Sequence, residues 1–129
     1  MHKARDLGLL WLRVLMGAGI AYHGYGKVFG GQVEMLAQGL TSWGWPVPIV
    51  WAWAAALSEF AGGILVAVGF QTRLAALSVF MTMSVAAFKA HAADPFEIKE
   101  LALAYWTMAG ALVFTGGGAY TLEQRLAKR

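Results

Sequence analysis

From residue 49 to residue 70 the sequence carries a single ionisable side chain, Glu59, in a run that is otherwise almost wholly apolar. A helix built from such a segment has no polar face to offer water, so it belongs in lipid rather than on the surface of a soluble bundle. Three further apolar stretches accompany it. The expected spans are residues 7–29, 48–70, 74–91 and 98–115. The first two are long enough to cross a hydrocarbon core of about 30 Å, and the last two are shorter. The predicted fold class is an all-α membrane protein: a four-transmembrane-helix antiparallel bundle forming one domain over residues 1–129, with an interfacial segment between helices 1 and 2.

Composition narrows the chemistry. Charged residues make up 13% of the chain, against roughly 25% in an ordinary soluble domain. Four spans use up most of the 129 residues, so no separate soluble catalytic domain is expected. The chain has no cysteine. Thiol nucleophiles, disulfide exchange, thiolate-bound zinc and iron–sulfur clusters are therefore excluded for this chain acting alone. Redox chemistry must be borrowed from a cofactor or a partner, and no metal site is expected. The net charge of +3 comes from basic residues at the ends of apolar segments, not from a basic run, so no nucleic-acid partner is expected.

Those basic residues set an orientation. If the chain crosses four times, Lys3, Arg5, Arg73, Arg125, Lys128 and Arg129 fall on one side and Lys27, Lys89 and Lys99 on the other, with Arg13 inside the first span. The excess predicts that both termini are cytoplasmic. The first apolar run contains Arg13, His23 and Lys27 and has no small-residue cleavage motif, so it is expected to be a retained helix and not a signal peptide. The short Gln71-Thr72-Arg73 link predicts an antiparallel hairpin of the second and third spans. In the longer first loop, residues 33–38 are expected as a short amphipathic turn at the interface, followed by an anchoring belt of Trp43, Trp45, Trp51 and Trp53. Thr121 is the expected N-cap of a brief amphipathic tail helix.

Ionisable groups inside apolar spans cost at least about 2.5 kcal/mol at a helix centre, so each calls for a partner or a role. Arg13 and Glu59 stand out. Counted inward from the ends of their apolar stretches they lie about 9 and about 16 Å deep, a difference an arginine nearly spans, which predicts a buried ion pair between them. On the first helix Arg13, His23 and Lys27 share an arc of about 80°, with Gly17 and Gly24 on the same face. Around Glu59 the second helix presents Ala52, Ala55, Ala56, Gly62 and Gly63, small residues that let helix backbones approach. His91 at the end of the third stretch and Glu100 in the first turns of the fourth are expected at the depth of His23 and Lys27. Together they define an expected outer-leaflet polar pocket of His23, Lys27, His91 and Glu100. Tyr22, Tyr25 and Trp106 can add ring edges around it or simply pack the core.

At this point the sequence resembles the DoxX family of small four-helix membrane proteins. His23-Gly24-Tyr25-Gly26-Lys27 with Phe29-Gly30 resembles the signature that closes the family's first helix. Trp45-Pro46-x-Pro48 resembles its proline-containing approach to the second. Glu59-x-x-Gly62-Gly63 and Gly69-x-x-Thr72-Arg73 resemble the run that follows, and His91, Glu100 and Gly118-Ala119-Tyr120-Thr121-Leu122 resemble the third-loop and fourth-helix ends. The resemblance implies a bacterial or archaeal inner-membrane protein. The family takes its name from a subunit of an archaeal enzyme that passes electrons from thiosulfate to quinone, and other relatives are linked to quinone stress and to complexes with soluble redox enzymes.

The leading functional expectation is a quinone-interacting subunit of a quinone-linked oxidoreductase. His23, Lys27 and His91 would bind the cofactor, Glu59 and Glu100 would carry protons as the catalytic groups, and a soluble or membrane partner protein would supply electrons. A haem held by His23 and His91 is the lesser expectation, because a histidine at a loop end is poorly fixed. Alternatives are a small-solute or proton-coupled carrier, alone or as a homo-oligomer, and a non-catalytic assembly subunit.

Overall fold

The computed structural model describes residues 2–128, and all regular structure among them is helical. Arg129, counted above with the positive residues beside the termini, lies outside the described residues. Helix α1 runs from His2 to Phe29, 28 residues or about 42 Å. It starts before the expected span because nothing in its polar first turns breaks a helix. Helix α2, Val33–Ser42, replaces the expected short turn with ten helical residues. Val33 and Leu40 bury one face of it against Ala52 and Ala56 of the next helix, while Glu34 and Gln38 stay exposed.

Helix α3 spans Pro48–Val68. Proline suits a first turn, where its missing N–H would be unpaired anyway. The helix ends at Gly69, whose φ of 79° is left-handed. There the N–H groups of Gly69 and Phe70 both donate to Leu65 O, at 2.9 and 3.0 Å, which satisfies one of the carbonyls a helix terminus leaves open. Only Gly69, Phe70 and Gln71 separate α3 from α4, Thr72–Val85, and Gln71 takes the left-handed conformation at φ 48°. Helix α4 continues through a π-turn, Ala86–Ala90. Helix α5 occupies Phe96–Thr115 and α6 Leu122–Ala127, the latter capped as expected by Thr121 Oγ1 accepting from the Gln124 N–H at 3.1 Å.

The most extensive packing joins α1 to α3. A Cβ on Gly17 would stand 2.5 Å from Gly63 O and 2.6 Å from Ala67 N, and one on Gly63 2.6 Å from Ala21 N. Only glycine lets the two backbones touch this way. Residue numbers rise on α1 as they fall on α3, so the pair is antiparallel. On the other side, Phe80 of α4 stacks on Trp106 of α5 with centroids 5.3 Å apart, and Trp106 Nε1–H donates to Ser84 Oγ at 3.0 Å. The core between these pairs is Met16 and Ile20 of α1, Val66 of α3, Val79 of α4 and Leu112 of α5.

Among the described residues three helices have the length and apolarity to cross a membrane: α1, α3, and Thr72–Ala90, which is α4 with its π-turn. Helix α5 has the length but opens on Glu97, Lys99 and Glu100. Along the helix shafts large side chains point outward, with Trp11 73%, Tyr22 77% and Phe114 82% exposed. A surface so rich in large apolar groups suits acyl chains and not water. The start of α1, the α3–α4 turn and the α5–α6 connection meet at one end of the molecule, here the terminal end. Helix α2, the π-turn and the start of α5 lie at the other, the loop end.

Candidate functional site

At the loop end four segments converge on a cavity of about 160 Å³. Helix α1 contributes His23 and Lys27, one turn apart on the same face. Glu59 comes from α3, Met83, Ala86 and His91 from α4 and its π-turn, and Ile98, Leu101, Ala102 and Tyr105 from α5. The walls are about evenly polar and apolar, and the polar groups converge from different helices, as polar groups do in small-molecule sites.

Glu59 is the deepest of these groups. Its side chain is 2% exposed, and Lys27 Nζ donates to its Oε2 across the α1–α3 interface. In surroundings of low dielectric an ionisable group without a partner is strongly disfavoured, and this contact gives each of the two a partner. His23 sits on the rim with its ring edge-on to Tyr105 at 5.9 Å. The Tyr105 hydroxyl reaches across to α1 and presses against Gly19, so a side chain there would push it away. His91 follows the π-turn, whose widened ladder carries a bond from its N–H to Ala86 O at 3.0 Å. Such turns often mark functional positions in helices. The His91 Nδ1 is tied to Asp94 Oδ2 at 2.8 Å, which fixes the ring and leaves Nε2 as its other polar atom. Lys89 takes no part; its ammonium lies 5.5 Å over the ring of Trp43.

Of the expected pocket, His23, Lys27 and His91 do line one cavity, with Glu59 as its carboxylate. Glu100 does not line it and is exposed. The reason is the face of α5. Ile98, Leu101, Ala102, Tyr105, Ala109 and Leu112 follow the i, i+3, i+4, i+7 pattern of one helix face, which lines the cavity through its half-exposed first turns and enters the core at Ala109 and Leu112, and Glu100 lies on the opposite side. The same pattern identifies Tyr105, which reading by depth alone missed. Tyr22 and Tyr25 point outward, and Trp106 packs on Phe80 and Phe88.

The expected Arg13–Glu59 ion pair is not formed. Contacts of Gly17 with Gly63 and Ala67, and of Gly24 with Phe60, set the register of α1 on α3. Glu59 is therefore level with Gly24, eleven residues along α1 from Arg13 or about 16 Å. Arg13, 1% exposed, instead donates from Nη2 to Tyr120 O at 2.7 Å, at the terminal end. Counting inward from the ends of the apolar runs underestimated that offset, because the ends of two helices need not lie level.

The sequence model of the DoxX family matches residues 8–92. That range contains His23, Lys27, Glu59 and His91, and Tyr105 lies beyond it. Over its whole length the chain is similar to the inner membrane protein YqjF of Escherichia coli (strain K12), with 32% identity over 136 residues covering 100% of this chain and 99% of the relative. It is also similar to an uncharacterized protein of Haemophilus influenzae, 31% identical over 136 residues and covering 100% and 98% of the two chains. No solved structure matches the chain.

Proposed function

The chain is a membrane protein of the DoxX family, and from that premise we propose that it is the quinone-interacting subunit of a redox system in the inner membrane. In this reading α5 is the fourth span of an antiparallel bundle. It runs back along α4 from the loop end to the terminal end. The inner-membrane location is carried over from the Escherichia coli relative. Both termini face the cytoplasm, where the excess of Lys and Arg lies, so the loop-end cavity opens in the outer half of the bilayer.

The observation that carries the reading is the gathering of His23, Lys27, Glu59, His91 and Tyr105 around one cavity of about 160 Å³. A cavity of about 150 Å³ takes up a benzene ring, so this one suits a single quinone ring whose substituent chain runs out into lipid. It does not suit a porphyrin, which argues against haem. A bound quinone supplies two-electron, two-proton chemistry. Lys27, His23 and Tyr105, which line the cavity, would hold its carbonyl oxygens, and Glu59 is the buried group that would hold and release a proton beside them. Electrons come from a partner protein, since this chain has no cysteine to hold a metal cluster.

The test is mass spectrometry of the small molecules that copurify with the protein in mild detergent, comparing wild type with Tyr105→Phe and with a His23→Ala, Lys27→Ala double variant of matched folding. A quinone enriched in wild type and depleted in both variants supports the reading. An identical profile in all three rejects it and leaves a proton-coupled carrier or an assembly subunit.

A further inference from the structure

A second cavity, larger than the first, lies at the opposite end of the molecule, and nothing in the redox reading uses it. It measures about 530 Å³ and is formed where the first turns of α1 meet the α3–α4 turn, the glycine-rich loop after α5, and α6. Its charged lining is balanced: Arg5 and Arg73 against Asp6 and Glu123. Asp6 is already engaged, its Oδ1 accepting from the Ala119 N–H at 3.2 Å and lying 3.8 Å from Arg5 Nη2.

Two buried groups around this cavity lack partners. Thr72 is 3% exposed and lines the cavity, yet its Oγ1 has no hydrogen bond. Arg13 is 1% exposed and uses only Nη2, leaving Nε and Nη1 without acceptors. No carboxylate among the described residues pairs with it. The two are joined through Gly117, where a Cβ would come within 2.9 Å of Thr72 Oγ1 and 3.4 Å of Arg13 Cδ. Beside them the Arg73 guanidinium runs along Gly116, with Nε 3.1 Å from the position of a Cβ there. A buried cation without a counter-ion is costly, and a buried hydroxyl without a partner adds to that cost. Behind a balanced rim, Arg13 leaves one uncompensated positive charge.

We propose that this cavity binds a phosphate oxyanion, with Thr72 Oγ1 and the Arg73 guanidinium as direct donors and Arg13 as the buried charge behind them. A phosphodiester carries one negative charge, which matches the one left over. The depth fits a lipid source. Helix α1 is about 42 Å long against a hydrocarbon core of about 30 Å, so its first turns, with Arg5 and Asp6, stand at headgroup level. Free phosphate offers the same oxygens to the same donors.

The experiment is thermal unfolding of the full chain in mild detergent at fixed ionic strength, titrated separately with phosphatidylglycerol, with inorganic phosphate and with a galactosyl diacylglycerol that has no phosphate. The proteins are wild type, Thr72→Val, Arg73→Gln and, as a control, Arg125→Gln, which removes an exposed charge outside the cavity. Arg73 is exposed and valine is isosteric with threonine, so these variants test binding without emptying the core. The expected result is a saturable rise in Tm with a phosphate-bearing ligand and none with the glycolipid. Arg73→Gln should weaken it by about tenfold, the loss of one charge-assisted hydrogen bond. Thr72→Val should weaken it less, and Arg125→Gln should leave it unchanged. A rise with phosphatidylglycerol alone identifies a lipid headgroup, and a rise with inorganic phosphate identifies a free anion. No rise, an equal rise with the glycolipid, or equal rises in wild type and the cavity variants would overturn the proposal.

Discussion

Lys27 donates to the buried carboxylate of Glu59 three residues along α1 from the point where Gly24 rests on the backbone of Glu59 and Phe60. The close glycine contact and the ion pair depend on each other. The backbone approach brings a lysine on one helix within reach of a carboxylate on the other, and the pair in turn makes a charge at that depth tolerable.

Removing one partner is therefore worse than removing both. Lys27→Met should destabilise the protein by about 3–5 kcal/mol, the cost of leaving Glu59 unpaired, while Lys27→Met combined with Glu59→Leu should recover most of the loss. Denaturation in detergent measures this. A double variant no more stable than Lys27→Met would mean that the pair does not carry the interface.

Arg13 and Glu59 should behave independently. A double-mutant cycle with Arg13→Gln and Glu59→Gln is expected to give additive effects within about 0.3–0.5 kcal/mol, as for separated sites, whereas Lys27 with Glu59 should couple by more than that, within the range of about 0.5–3 kcal/mol found for residues in contact. Strong Arg13–Glu59 coupling would show that the register of α1 on α3 differs in the membrane.

Glycines of α1 should split by position. Gly17→Ala drives a methyl to 2.5 Å from Gly63 O and should cost about 1–3 kcal/mol or more, the usual range for overpacking. Gly8→Ala meets nothing within 4 Å and should be neutral or stabilise by about 0.5–1 kcal/mol through helix propensity. Abundance in the membrane and Tm in detergent report both changes. Equal effects at the two positions would contradict the α1–α3 contact.

Two α5 substitutions separate the inward stripe from the outward face. Tyr105→Phe should lower retention of a cavity ligand, because Tyr105 lines that space and in the proposed reading holds the ligand through its hydroxyl, and Glu100→Gln should not, because Glu100 does not line it. Quantifying the copurified ligand per folded protein decides it. A loss with Glu100→Gln and none with Tyr105→Phe would reverse the assignment.

What the sequence determined by itself was everything governed by local composition and period. Apolar runs with so few charges required helices in lipid, Gln71-Thr72-Arg73 required a tight hairpin, and Thr121 marked the start of α6. His23 and Lys27 belonged together because one helical turn separates them. Tyr105 was equally legible, since the stripe from Ile98 to Leu112 points it inward and turns Glu100 away. Only the tertiary structure decided which residue faces Glu59. That choice depends on the register of α1 on α3, which backbone contact at Gly17, Gly24 and Gly63 sets, and no periodicity within either helix encodes it. A shift of eleven residues along one helix moves a side chain about 16 Å, enough to give Glu59 to Lys27 and to leave Arg13 at the other end, bound to the carbonyl of Tyr120.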